Sequence, residues 1–150
     1  MRKNARLLTV TLVVVCLPFL TACERDLSEA ESAAALSISE PTIDNLFAGL
    51  VANDYATFSR DFDAYMQASI PDSYFAVWKE DLESHLGHYL CRGVHRVIQS
   101  DEFYVVEYDA RFDQEESVTV GIAFHIAEPH SISHIWFESG QRRWAPEPPR

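Results

Sequence analysis

Between Phe103 and Ile126 the chain places apolar residues at every second position along two runs. Tyr104, Val106, Tyr108, Ala110 and Phe112 alternate with Phe103, Val105, Glu107, Asp109 and Arg111. Val118, Val120, Ile122, Phe124 and Ile126 alternate with Ser117, Thr119, Gly121, Ala123 and His125. Period two predicts two strands with one buried and one wet face. The apolar sets share a face if Phe112 sits opposite Val118, and a one-residue slip turns one set toward water. The expected pairing sets Phe112 opposite Val118, with Asp113–Ser117 as the loop.

Upstream the period is helical. Ile43, Leu46, Phe47 and Leu50 form one stripe, and Pro41 suits the first turn of a helix over Pro41–Val51. Asp54 is a natural N-cap for a second helix carrying Tyr55, Phe58, Phe62, Tyr65 and Met66. Ser69-Ile70-Pro71-Asp72 starts a third, which buries Phe75, Trp78, Leu82 and Leu86 and ends at Gly87. An irregular strand, about Tyr89–Ile98 with Gly93 as a bend, precedes the central pair, and a last strand, Ile132–Glu138, follows it. Either His134 and Trp136 or Ile135 and Phe137 point inward from that strand. The expected class is α+β: three N-terminal helices packed on a curved four-stranded antiparallel meander sheet.

Hydrophobic residues make up 47% of the 150, enough for one packed domain. The formal charge is −11, and all 23 acidic residues follow position 23. Such a surface repels phosphate backbones and argues against nucleic acid as a partner.

Met1–Cys23 changes the picture most. Arg2, Lys3 and Arg6 precede an apolar run, Leu7–Leu20, which is short for a membrane span but suited to a signal-peptide core. The run ends Leu20-Thr21-Ala22-Cys23. This resembles the bacterial lipobox, in which the cysteine receives diacylglycerol and the chain is cut before it. The expected organisation is a lipoprotein signal peptide over 1–22, an acidic tether over 23–39 whose alanines favour a short helix around Ser28–Leu36, the folded domain over 40–139 and a flexible Pro-rich tail over 140–150. Cys23 is the lipidation site, and more than one acyl chain would anchor it firmly.

The residues of the folded part are similar to a known group. Asn53-Asp54-Tyr55, then Phe58, Phe62 and Met66, then Phe75, Trp78, Leu82 and Gly87, then Tyr104-Val105-Val106 with Tyr108, Ala110 and Phe112, then Val118-Thr119-Val120 and Ile132 through Phe137, resemble an uncharacterised family of small secreted domains. That family occurs as bacterial lipoproteins and as a module preceding hydrolase domains, within the nuclear transport factor two-like superfamily. The resemblance spans about Pro41–Phe137. It implies a cone-shaped fold, a pocket where the helices do not fill the sheet, and a homodimer through the sheet face. The family tends to have glycine where this chain has His134. It brings no catalytic residue set, and the superfamily contains both enzymes and binding modules.

Several clusters merit weighing. Asp81, His85 and His88 share a helix face, a combination able to bind zinc, but their spacing matches no short zinc motif and histidine near a helix C-terminus has its own electrostatic reason. No metal or cofactor is expected. Glu107, Asp109 and Arg111 read as a solvated strand face. Cys91, without a His or acid motif, reads as a buried structural thiol. His125, His130 and His134 fall in the last hairpin. If His134 and Trp136 face inward, they join Tyr108 as the polar rim of an apolar pocket. The reading is a non-enzymatic envelope lipoprotein that binds a small apolar ligand or a partner protein. The alternatives are a small isomerase or dehydratase with an acid–base site near Tyr108, and an assembly or accessory lipoprotein with an exposed apolar patch around Trp144 or Phe103.

Overall fold

A computed structural model describes residues 24–140 and 142–146, so Cys23 and the signal segment lie outside the described residues. The chain runs β1 (Glu24–Asp26), α1 (Glu29–Ala52), α2 (Tyr55–Phe58), α3 (Ala64–Ser69), α4 (Asp72–Leu86), β2 (Tyr89–Ser100), β3 (Phe103–Phe112), β4 (Val118–His125), β5 (Ile132–Ser139) and β6 (Arg142–Trp144). The fold is α+β, with helices on an antiparallel meander. However, the sheet has six strands in chain order rather than four.

The two extra strands come from segments expected as tether and tail. Glu24, Arg25 and Asp26 pair with Ser100, Gln99 and Ile98, and the Arg25 guanidinium bonds both Glu31 and Gln99 at 3.1 and 2.8 Å. At the other edge Arg142–Trp144 pairs with Phe137–Ser139, and Trp144 is buried. Three-residue strands carry no periodicity, so only their partners reveal them.

The first helix starts twelve residues before Pro41. Ser28 and Glu31 form a reciprocal cap: the Ser28 hydroxyl accepts from Glu31 N–H, and the Glu31 carboxylate accepts from Ser28 N–H at 3.0 Å. Pro41 sits inside α1, where its missing N–H removes one helical bond. The helix persists because Ala35, Ser39, Ile43, Leu46 and Leu50 form one buried stripe that crosses the proline. The expected second helix is two short ones. Asp54 caps α2 as expected, accepting from Ala56 and Thr57 N–H, whereas Asp63 caps α3. Between them Phe62 bridges Ile132: Ile132 N–H donates to Asp61 O at 2.8 Å and Asp63 N–H donates to Ile132 O at 2.9 Å. Tertiary pairing with β5 thus interrupts the helical pattern. The helix α4 keeps its expected face, with Phe75, Trp78, Leu82 and Leu86 buried. Gly87 follows at φ 82°, and a Cβ there would strike the Asp113 carboxylate.

In the central hairpin Tyr108 pairs with Val120 and Ala110 with Val118. The register is two residues from the expected one, an even shift that leaves every side chain on its expected face. Two bulges, between Tyr89 and Cys91 and between Val94 and Arg96, bracket Gly93 in β2. In β5, Ile135 and Phe137 are buried while His134 is exposed, which decides the open choice about that strand. Val106, Tyr108, Val120, Ile122, Ile135 and Phe137 meet Phe58, Phe75, Trp78 and Leu82 in one core. Side chains therefore fill the space between sheet and helices.

Candidate functional site

Tyr108 projects to the helix side of the sheet, while His134 and Trp136 occupy the opposite face, so the three do not form one pocket. Two separate concavities hold them.

The first lies where β2 is left bare. Because β1 covers only Ile98–Ser100, no described strand pairs with the outer edge of Tyr89–Val94. Glu40, Tyr89, Leu90, Arg92, Val94 and Tyr108 line a recess of about 440 Å³ there. Leu90 and Val94 are 56% and 46% exposed at its walls. Its polar floor is one network. The Arg92 guanidinium, only 12% exposed, donates to Glu40 Oε2 at 2.9 Å and Asp44 Oδ1 at 2.7 Å. Its carbon lies 4.9 Å and 5.0 Å from the ring centres of Phe47 and Tyr108. The Tyr108 hydroxyl donates to Glu40 Oε1 at 2.6 Å. Burial, then the bond to anionic Glu40, push the Tyr108 phenol well above its ordinary range, with Arg92 opposing. Burial lowers Arg92, but Asp44, Tyr89 and Glu40 more than offset that and leave it raised. Tyr108 is accordingly a fixed donor and Arg92 a fixed cation, neither poised to exchange a proton near neutral pH. Arg92 Nε is buried without a hydrogen-bond partner among the described residues.

The second concavity is a cleft of about 160 Å³ that His134 and Trp136 share with Tyr65 and Arg143. The Trp136 ring lies flat on Gly121, whose missing side chain makes room for it. The Arg143 guanidinium lies over the Trp136 ring, 5.0 Å from its centre, and the His134 ring lies 5.0 Å from that of Tyr65, tilted by 36°.

The remaining candidates are engaged elsewhere. Asp81 accepts from Arg142 at 3.0 Å and from the Trp144 indole at 3.2 Å, and His85 Nε2 accepts from Arg142 at 2.8 Å. These two side chains therefore pin β6, while His88 faces Glu83 at 3.2 Å. Glu107 pairs with Arg96, Asp109 with His95 and Arg111 with Glu116, all away from the helices. His125 Nε2 lies 3.0 Å from Asp63 Oδ2, and His130 Nδ1 lies 3.1 Å from the His125 carbonyl. Cys91 is exposed, not buried, because the neighbouring bulge turns it onto the uncovered edge. Trp144 is buried in the core, so it forms no exposed patch. Reading by periodicity missed Arg92, Glu40, Tyr65 and Arg143. No local pattern brings them together, since Arg92 and Glu40 are 52 residues apart.

Among the described residues no helix is long and apolar enough to cross a membrane. No protein-family model, curated protein or solved structure matches this chain.

Proposed function

We propose that the protein is a non-enzymatic binding domain of the bacterial cell envelope, held to the membrane through lipid on Cys23 and taking a small apolar ligand in the recess above Tyr108. The leader Leu20-Thr21-Ala22-Cys23 supports the anchor. The observation that carries the binding role is the recess: Leu90 and Val94 stay exposed around an ionic floor in which Arg92 bonds Glu40 and Asp44 and Tyr108 bonds Glu40. Its volume of about 440 Å³ lies within the size range of small-molecule sites. An acid–base enzyme is less well supported. Glu107, Asp109 and His134 lie on the other face of the sheet from Tyr108, and Glu40 is committed to two partners.

The neutral dye N-phenyl-1-naphthylamine tests the recess by its fluorescence on binding. Leu90→Ser with Val94→Ser should weaken its binding about tenfold, given roughly 0.8 kcal/mol per methylene removed from water, while Trp136→Leu should leave it unchanged. Equal binding to all three proteins would reject this site. Mass spectrometry of the membrane fraction should find diacylglycerol on Cys23, and Cys23→Ala should release the protein. A mature chain starting elsewhere would overturn the anchor alone.

A further inference from the structure

Among the described residues, the edge of β5 facing away from β4 is covered at two points: Phe62 bridges Ile132, and β6 begins pairing at Phe137. The gap between them is the 160 Å³ cleft. Its floor is apolar, made of Met66 and Ile135, both essentially inaccessible. Its walls are flat rings, with Tyr65 against His134 on one side and Trp136 on the other. Over Trp136 lies Arg143.

Arg143 differs from its fellows. Arg25, Arg60, Arg92, Arg96, Arg111 and Arg142 each have a carboxylate within 4 Å, as does Lys79. Arg143 has none among the described residues, although acidic residues outnumber basic ones 23 to 12 in the chain. A guanidinium stacked on an indole keeps its N–H edge available and held in one plane. That edge matches a carboxylate in bidentate geometry. The neighbouring Arg142 supplies the contrast, since it is spent on Asp81 and His85.

We infer that this cleft binds a monocyclic aromatic carboxylate, with the ring between Tyr65, His134 and Trp136 and the carboxylate on Arg143. A volume of about 160 Å³ admits one ring. The site is separate from the recess above Tyr108, and it stands whether or not Cys23 carries lipid.

The test is a titration of benzoate into the full-length protein, followed by NMR at the Trp136 indole and Arg143 guanidinium N–H signals. Saturable shifts of both are expected, with Kd near or below about 1 mM for so small a ligand. Arg143→Gln should weaken binding at least tenfold, as should Tyr65→Ala, while Arg111→Gln, at an exposed arginine on β3 away from the cleft, should leave it within twofold. Benzyl alcohol, which has the ring without the charge, and acetate, which has the charge without the ring, should each bind at least tenfold more weakly. No saturation by about 20 mM benzoate, equal binding of benzyl alcohol, or unchanged binding in Arg143→Gln would each overturn the proposal.

Discussion

Tyr108 shows how one side chain is read differently by pattern and by environment. Alternation alone puts it on the buried face, and it is 1% exposed. What the hydroxyl does depends on Glu40, 68 residues away, and on Arg92 above the ring. A buried phenol hydrogen-bonded to a carboxylate holds its proton, and its raised value has a definite sign. The protonated folded form is favoured, so the stabilisation is complete below the unfolded pKa of about 10 and is lost as pH rises through the higher folded value. Tyr108 should therefore form no tyrosinate absorbance until the protein unfolds in alkali. In Tyr108→Phe that late component should disappear, at a stability cost of about 1 kcal/mol. A tyrosinate signal for Tyr108 in the folded protein near pH 10 would refute the fixed-donor role.

At the scale of elements, caps and cross-links decide where helices begin. The box formed by Ser28 and Glu31 was available in the sequence as Ser-x-x-Glu, and the alanines after it favour a helix there, yet with no strong apolar stripe the segment reads as a tether. Bonds from the Ser28 hydroxyl and N–H, with Arg25 adding to them, bring the Glu31 carboxyl down to about 2. Asp63 performs three tasks at once. It accepts from Met66 N–H at 2.8 Å to cap α3, faces His125 and is bonded by Ser133. Burial raises its pKa, but those three partners more than offset it and leave it lowered. The linkage runs opposite to that of Tyr108: its stabilisation is present above about pH 4 and is lost as pH falls through the lower folded value. Asp63→Ala should cost about 1–2 kcal/mol at neutral pH and less in acid, read by urea denaturation at pH 7 and pH 3. Asp63→Asn keeps a good cap but loses the charge facing His125, so it should cost less than Asp63→Ala. Equal losses from the two variants would show that capping is not the main role.

For the whole molecule, each edge of the sheet ends in a short strand drawn from a segment expected as an appendage, β1 from the tether and β6 from the tail. The strand β6 is the more consequential, because Trp144 enters the core and its indole is tied to Asp81 on α4. The Asp81 and His85 pair, which resembles part of a metal site in sequence, is thus the clasp that joins the last strand to the last helix. Trp144→Ala should cost about 3–5 kcal/mol by removal of a buried ring, a large share of the roughly 5–15 kcal/mol typical of a domain. Removing residues 142–150 should cost at least as much. Thermal unfolding measures both, and a midpoint within a degree of the parent would mean that residues 142–146 are a loose tail after all.

The sequence alone determined the helix-then-strand order, the α4 face, the caps at Asp54 and Gly87, and the inward side of β3 and β4. Each follows from spacing along one continuous stretch, where backbone periodicity and burial act together. The register parity of the central hairpin followed too, because a one-residue slip exposes a whole apolar row, whereas a two-residue slip exposes none, and the expected Phe112–Val118 alignment was wrong by two residues. Only the tertiary structure decided that Ile135 and Phe137, not His134 and Trp136, turn inward, since β5 is apolar on both faces and its partner makes the choice. It also decided that residues 24–26 and 142–144 are strands, and that Arg92 meets Glu40 and Arg143 meets Trp136. Those contacts join residues distant in sequence or on separate strands, and their free energy arises only once the sheet has brought them together.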